Sequence, residues 1–375
     1  MKPEYPPPRL ATPGDLTSLE GLLGFLEESC TAQGWPLYVA LLTCTGDLRT
    51  VLHRWGTFYE ATDLGLLPSA WVLDVPRRPK CDGHAQWFLI DYCPGAALLI
   101  SNEHRDVLRA PLRKWVQRYQ PILTPILLNT AAMRRVLGRA SRLRGLSGDI
   151  MVTQVSVRAR LPAPTPRRFI ESSHTWTDRP FSGVFDEMAE SRRWATSVHF
   201  SLMYEPAGGA GLHRVEGSMS RNGEFTSVAC VRCLLDTVIA AAAEEAAEER
   251  EFFQGRATED SPTGHFKPLV VQYDDPVFED RTQNRVLIRV LESLPSAGVS
   301  VLHPNPYLRA AVVDYVDGSA YDVCVVRHDR ITIVPKTRAS AAALERLCAH
   351  ICSDFRDGEI RDYEEVVAED LRDDG

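Results

Sequence analysis

Short apolar runs, each bounded by turn residues, recur along the 375 residues of this chain and favour a sheet-based fold. The clearest runs are 37–44 (LYVALLTC), 86–92 (QWFLIDY) and 95–101 (GAALLIS). Runs of this length and composition are typical of buried β-strands, and they are too short to span a membrane as helices. We therefore expect sheets with one or both faces covered by helices.

Two later segments share the order of three strands followed by one helix. The first has predicted strands at 197–204, 212–220 and 224–229 and a helix at 230–254, and the second has strands at 308–316, 320–327 and 330–335 and a helix at 339–354. Asn222-Gly223 and Asp317-Gly318 supply tight turns, because these pairs tolerate positive φ. The sequence predicts a mixed α/β (α+β) fold of mostly antiparallel sheets packed by helices, in two to three units, with a candidate β-β-β-α internal repeat in the C-terminal half.

Composition shifts near residue 145, and a proline-rich stretch follows at 162–168. We place the main domain boundary within 145–168. The expected division is a loose N-terminal segment at 1–14, an α/β domain with basic helices at 15–148, a β-rich α+β domain with a long helix at 149–260, and an α+β domain with an acidic C-terminal tail at 261–375.

The overall charge restricts the classes of partner. Apolar residues make up 44% of the chain and charged residues 25%, and the formal net charge is -8. These values are ordinary for a globular protein, and the negative charge disfavours a nucleic-acid binder that is basic all over its surface. The first residues, MKPEYPPPRL, lack the apolar stretch of a secretory signal. We therefore expect a cytoplasmic protein with no membrane partner.

The chain contains nine cysteines, and most of them lie inside apolar runs such as 321–326. This pattern is typical of small buried side chains rather than of disulfides. Cys81 and His84 on a polar turn, with Cys93 downstream, form a candidate metal cluster. Their spacing fits no established ligand pattern, so we predict no metal there.

Cys230 and Cys233 have the two-residue spacing of a zinc half-site or of a redox pair. A structural zinc site needs four ligands, and neither His213 nor His265 lies at a recognisable spacing from the pair. Both cysteines are also placed to face the core at the start of a predicted helix. We therefore predict no metal and no cofactor, and retain the pair as a weak candidate.

Two further sets of residues are candidates for catalysis. His199 and Ser201 share one face of a predicted strand, which is the local form of half of a two-histidine phosphoesterase site. Asp314 and Asp322 bracket a hairpin, where carboxylates can hold a hard cation such as Mg²⁺. Either set would make the chain a phosphodiester-cleaving enzyme, a nuclease or a phosphoesterase.

The strongest charge signal is a basic block that spans two predicted helices. Its arginines recur at helical spacing, which aligns them on one face of each helix. The predicted binding residues are Arg105, Arg109, Arg113, Arg118, Arg135, Arg139 and Arg142. Together they predict a surface for polyanions, for an acidic partner or for the chain's own acidic tail.

The absence of a complete catalytic motif favours a non-catalytic function. We expect an intracellular binding or scaffold subunit of a multiprotein complex, with other protein subunits as partners and contact to nucleic acid through the arginine-rich face. The phosphodiester-cleaving enzyme is the alternative.

Overall fold

The computed structural model of this chain describes residues 16–33, 36–55, 60–76, 84–103, 105–160, 169–206, 211–227, 230–258, 266–279 and 281–373. The chain divides into two compact units, Met1–Ala246 and Ala247–Gly375. Each unit contains one sheet with packed helices, and every described strand ladder is antiparallel. Among the described residues, no helix has the length and hydropathy needed to cross a membrane.

The first unit contains most of the strands. They are β1 (Leu37–Cys44), β2 (Ala61–Asp63), β3 (Ala70–Pro76), β4 (His84–Cys93), β5 (Ala96–Ser101), β6 (Leu123–Pro125), β7 (Leu146–Arg160), β8 (Phe169–Pro180), β9 (Trp194–Tyr204), β10 (His213–Ser220) and β11 (Glu224–Ser227). The helices are α1 (Leu19–Gln33), α2 (Leu48–Trp55), α3 (Arg105–Tyr119), α4 (Thr130–Ala140), α5 (Phe181–Glu190) and α6 (Val231–Leu234). A π-helical turn, Leu235–Ile239, connects α6 to α7 (Ala240–Gln254), and the division between the units falls within α7.

One sheet runs through the whole first unit. Its strand order is β2-β3-β4-β5-β1-β11-β10-β9-β7-β8, and β6 lies beside β1. Leu37 of β1 is paired with Ser227 of β11, so strands from both of the first two predicted domains lie side by side. The boundary predicted within 145–168 therefore falls inside one unit. Residues 1–15 and 161–168, which include the predicted loose segment and the connector, lie outside the described residues.

Helices cover both faces of this sheet. Val39 and Leu41 of β1 belong to one core, which also contains side chains of α1, α4, α5 and α6. Ala40 and Leu42 point the opposite way, into a second core with α2 and α3. We call these surfaces the α4 face and the α3 face. The apolar run at 37–44 forms a strand because its successive side chains enter the two cores in turn. Burial of each Leu or Val side chain contributes about 1.5–3 kcal/mol to the stability of the fold.

The second unit has a six-stranded sheet in the order β13-β14-β15-β16-β12-β17. These strands are β12 (Leu269–Gln272), β13 (Ala297–His303), β14 (Leu308–Asp314), β15 (Ala320–Val325), β16 (Arg330–Pro335) and β17 (Glu359–Asp362), and the helices are α8 (Arg281–Glu292), α9 (Ala341–Asp354) and α10 (Tyr363–Asp373). Both predicted β-β-β-α segments have that order: β9, β10 and β11 precede the helical run from Val231, and β14, β15 and β16 precede α9. The mixed fold of helices and antiparallel sheets is confirmed.

The predicted acidic tail is part of the second unit. β17 pairs with β12, and Val366 of α10 is buried. Arg361 donates hydrogen bonds to Glu369 at 2.6 and 2.8 Å, and Arg330 donates to Asp370 at 3.0 Å. Glu369 and Asp370 of this segment are therefore bound by arginines of the same unit.

Candidate functional site

The predicted arginine surface is divided between the two faces of the first sheet. Trp115 of α3 packs edge-on against Trp87 of β4, with ring centroids 6.3 Å apart, on the α3 face. Met133 and Val136 of α4 pack with Phe88, the next residue along β4, on the α4 face. Because neighbouring strand residues point to opposite sides, the sheet separates α3 from α4. The arginines of the two helices therefore do not form one surface.

Acidic residues of the same unit bind several of these arginines. Arg109 donates three hydrogen bonds to Glu224 on β11, the shortest at 2.9 Å. Arg135 and Arg139 bind Glu245 at 2.8 and 3.2 Å, and the Glu245 side chain is only 7% exposed. Arg113 and Arg118 are exposed on α3, and Arg142, predicted on the second helix, is exposed in the turn that follows α4; the side chain of Arg105 lies outside the described residues. These ion pairs stabilise the unit and leave less charge for an external polyanion.

His199 and Ser201 share a polar stretch of the α3 face on β9. They line a shallow cavity with Thr153, Glu216 and Thr226. His174 lies two strands away on β8, opposite Val155 in the register, and Val155 points into the core of the α4 face. Directly opposed residues share a face, so His174 and His199 point to opposite sides of the sheet. The structure does not bring these two histidines together for two-histidine acid–base catalysis.

Asp314 and Asp322 also lie on opposite faces, in the sheet of the second unit. Asp322 is paired with Ala311 of β14, so these two residues share one face of the sheet. Asp314 lies an odd number of residues after Ala311 on β14, and because strand side chains alternate, it points to the other face. Arg346 donates to Asp314 at 2.8 Å, and Asp322 accepts hydrogen bonds from Arg309 and Lys336. Burial raises the pKa of Asp322, but those two hydrogen bonds outweigh it and lower the pKa overall. The two carboxylates therefore form separate ion pairs rather than one cation site.

The candidate cluster of Cys81, His84 and Cys93 is only partly described. Cys81 lies outside the described residues, and His84 and Cys93 are the first and last residues of β4. A strand rises about 3.3 Å per residue, so the two ends of β4 are about 30 Å apart. His84 and Cys93 do not share a metal ion within this chain.

Cys230 and Cys233 are joined by a disulfide at the beginning of α6. The expectation that all the cysteines are unpaired is wrong for these two. The helical turn brings their Cα atoms to 5.3 Å, and the backbone N–H of Cys233 donates to Sγ of Cys230 at 3.2 Å. Cys230 is half-buried at the helix N-cap, whereas Cys233 is 1% exposed in the core of the α4 face. The pair therefore has one accessible and one buried sulfur.

His213 completes a three-residue cluster with this pair. A ring nitrogen of His213 and the two Sγ atoms all lie within 4.8 Å of one another. The β10–β11 hairpin sets this distance: Ser227, the last residue of β11, is opposite Gly217, and the antiparallel β11 runs toward the start of β10, where His213 lies. His213 is on the α4 face with Val215 and beneath α6, because strand side chains alternate. Among the described residues, this is the one group of three such side chains with ligand atoms so close together.

Two glutamates of α1 lie on one side of the cluster. Glu27 of α1 accepts a hydrogen bond from the backbone of Arg232 and lies close enough to His213 for their charges to interact. Burial raises the pKa of the Glu27 carboxyl, and these two neighbours partly offset that effect. The Arg232 side chain forms an ion pair with Glu20, which also lies on α1. α1 therefore encloses one side of the cysteine pair.

The sequence identified the cysteine spacing but not the third member of the cluster. His213 precedes Cys230 by a stretch of chain that matches no ligand motif. The feature of the sequence that could have identified His213 is the predicted hairpin with its turn at Asn222-Gly223. The second strand of this hairpin runs back toward the start of β10, where His213 lies. Comparison with protein families and with curated proteins found no family model and no relative that matches this chain.

Proposed function

We propose that this chain is a thiol–disulfide redox protein and that Cys230 and Cys233 are its reactive pair. One observation carries the proposal: the pair is joined in a disulfide at the start of a helix, with Cys230 accessible and Cys233 buried. A Cys-X-X-Cys pair in this position is typical of cysteines with an altered pKa and a redox role. The expected scaffold and nucleic-acid functions have less support, because the predicted arginine surface is divided by the sheet.

The difference in exposure assigns a role to each sulfur. Cys230 is the attacking thiolate, because a partner can reach it and because the N–H of Cys233 donates to its sulfur. Positive potential at a helix N-terminus favours the thiolate over the thiol. Cys233 is the resolving thiol, since its burial prevents direct attack on an external disulfide.

The reaction consumes a disulfide of another molecule. The Cys230 thiolate attacks one sulfur of that disulfide, forms a mixed disulfide and releases the other sulfur as a thiolate. Cys233 gives up its proton, attacks Cys230 in the mixed disulfide and releases the second partner thiolate. His213, next to both sulfurs, is placed to accept that proton. Cys230 gives one proton to solvent when it becomes a thiolate, and Cys233 gives up the second. In sum the dithiol loses two electrons and two protons, and the two partner thiolates take up two protons to become thiols.

Glutathione redox buffers provide the direct test. The chain is equilibrated over a range of reduced and oxidised glutathione, and the thiols are counted by alkylation and mass spectrometry. We expect Cys230 and Cys233 to pass together between dithiol and disulfide. Cys233→Ser should accumulate a mixed disulfide with glutathione on Cys230, whereas Cys230→Ser should form none at Cys233.

Cys324→Ser is the matched control, because Cys324 is half-buried and unpaired on β15 of the second unit. This substitution should leave the redox transition of the pair unchanged. A pair that keeps one oxidation state in every buffer, or a Cys233→Ser variant that never captures glutathione, would refute the proposal.

A further inference from the structure

We propose that the reduced Cys230–Cys233 pair and His213 form a binding site for Zn²⁺. This inference rests on the proposed function to the extent that the pair must be reducible. The inference goes beyond that function because the redox chemistry does not itself require a bound zinc ion.

The geometry of the three side chains fits a tetrahedral zinc ion. Zn²⁺ lies about 2.3 Å from thiolate sulfur and about 2.0–2.1 Å from imidazole nitrogen, so the ligand atoms around it are separated by somewhat less than 4 Å. Here all three ligand atoms lie within 4.8 Å of one another. A small movement of the reduced side chains is enough to reach the required distances.

The ligand chemistry selects the metal. Two thiolates and one imidazole suit Zn²⁺, whereas Mg²⁺ and Ca²⁺ require oxygen ligands. The three residues supply three corners of a tetrahedron and leave the fourth open. The two negative sulfurs balance the charge of the ion.

Neighbouring groups support the ligands. The backbone N–H that reaches Sγ of Cys230 stabilises its thiolate, which is the form that binds metal. Glu27 adds a carboxyl group near His213 and accepts a hydrogen bond from the backbone of Arg232, so it lies beside the site without being a ligand.

Zinc binding and the disulfide exclude each other. The oxidised pair has no thiolate to offer, so oxidation must release the ion, and bound zinc must slow oxidation of the pair. The site therefore links the redox state of the chain to zinc binding.

The test uses the full chain, reduced and then freed of reductant without a chelator. Zinc is added in competition with a chromophoric chelator, and Co²⁺ is used in parallel because thiolate–cobalt charge-transfer absorption reports sulfur ligands directly. We expect one Zn²⁺ per reduced chain and none for the disulfide form. Cys230→Ser and His213→Gln each remove a ligand and should weaken binding by at least about tenfold, whereas Glu27→Gln should have a smaller effect.

Cys324→Ser and His303→Gln are the matched controls, since both residues lie in the second unit, and neither should change the affinity. Circular dichroism checks that each variant is folded, and Cys230→Ser, a nearly isosteric change at a half-buried position, remains informative if His213→Gln unfolds. A reduced chain that binds no zinc, or binding that His213→Gln leaves unchanged, overturns the inference.

A pair that exchanges with glutathione but binds no zinc refutes this inference alone, and a pair that binds zinc but never exchanges refutes the redox function alone. A pair that cannot be reduced refutes both.

Discussion

Leu234 lies directly over Gly217: the Cβ that Gly217 lacks would be 3.4 Å from Cδ1 of Leu234 and 2.7 Å from the carbonyl oxygen of Thr226. The bare backbone of β10 thus allows α6, which carries Cys233, to approach the sheet. A methyl group at this position would push the helix or β11 away. The closeness of His213 to the cysteine pair depends on this contact.

We predict that Gly217→Ala destabilises the first unit by about 1–3 kcal/mol, because backbone must shift to admit the methyl group. Urea unfolding followed by circular dichroism measures the change. Gly138→Ala in α4 is the control: nothing lies within 4 Å of the added Cβ, so the helix should gain about 0.5–1 kcal/mol. Equal changes in the free energy of unfolding for the two substitutions would contradict the close approach of Leu234 and Thr226 to Gly217.

Arg135 and Arg139 should act on stability through the nearly buried Glu245. Removing either one leaves the other bound to the carboxylate, so each single change to Gln should cost about 1 kcal/mol and the double change about 2–3 kcal/mol. Thermal or urea unfolding gives these values. Arg142→Gln, at an exposed position, should stay within about 0.5 kcal/mol of the parent. A double variant as stable as the parent would contradict the assignment.

The sequence pattern also predicts a salt-dependent polyanion surface, and the structure changes the expected outcome. Neutralising Arg109, Arg113 and Arg139 to Gln would lower the salt slope of polyanion binding by about three if they formed one surface. Because the sheet separates α3 from α4, we expect instead a loss of stability and little change in retention on immobilised heparin. A slope that falls by three without destabilisation would restore the single-surface interpretation.

Glu345 of α9 should make the stability of the second unit depend on pH. Burial raises the pKa of this carboxyl to about 7, and Arg346 and Arg250 oppose the shift without cancelling it. Above pH 4.5, the usual pKa of this side chain, Glu345 loses its proton in the unfolded chain but keeps it in the folded chain. The free energy of unfolding therefore falls as pH rises, and the full penalty is reached above about pH 7. The shift corresponds to a penalty of about 3 kcal/mol.

Glu345→Gln should therefore stabilise the chain relative to the parent near pH 8 and have little effect near pH 5. Urea unfolding at both pH values measures the difference. Glu292→Gln, exposed on α8, is the control and should show no such dependence. A benefit of Glu345→Gln that is the same at both pH values would argue against a protonated Glu345.

Thiol labelling should distinguish the cysteines of the reduced chain. We expect Cys230 to react with iodoacetamide before Cys233, and Cys348 to stay unmodified until unfolding, because burial raises the pKa of its thiol well above the usual value. Peptide mass spectrometry over time measures the order. Rapid labelling of Cys348 in the folded chain would contradict its burial in α9.

Much of the fold could be predicted from local pattern. The run 37–44 matches β1 at both ends, and the predicted helix at 230–254 matches α6, the π-helical turn and α7. β8 was missed because its residues are mostly polar and exposed, so they show no apolar alternation. The boundary predicted within 145–168 falls inside the first unit, where the pairing of β1 with β11 joins distant parts of the chain, and no local pattern encodes such pairing.

The candidate site shows the same division between local and long-range information. The spacing of Cys230 and Cys233 is local and visible, but their approach to His213 depends on hairpin register. For the arginines, the spacing places Arg109 and Arg113 on α3 and Arg135 and Arg139 on α4, but Arg142 lies beyond the end of α4. Local pattern also does not reveal that α3 and α4 pack on opposite faces of one sheet.

The π-helical turn Leu235–Ile239 separates the cysteine-bearing first turn from α7. Tyr92 of β4 donates to the carbonyl oxygen of Leu235 at 3.4 Å, and Thr237 donates to that of Cys233 at 2.6 Å, so side chains support the irregular hydrogen bonding. Because such turns bond less regularly than α-helix, the helix should open locally here before α7 does. Amide hydrogen exchange in 231–239 should therefore quicken on reduction of the disulfide, while 240–254 remains protected.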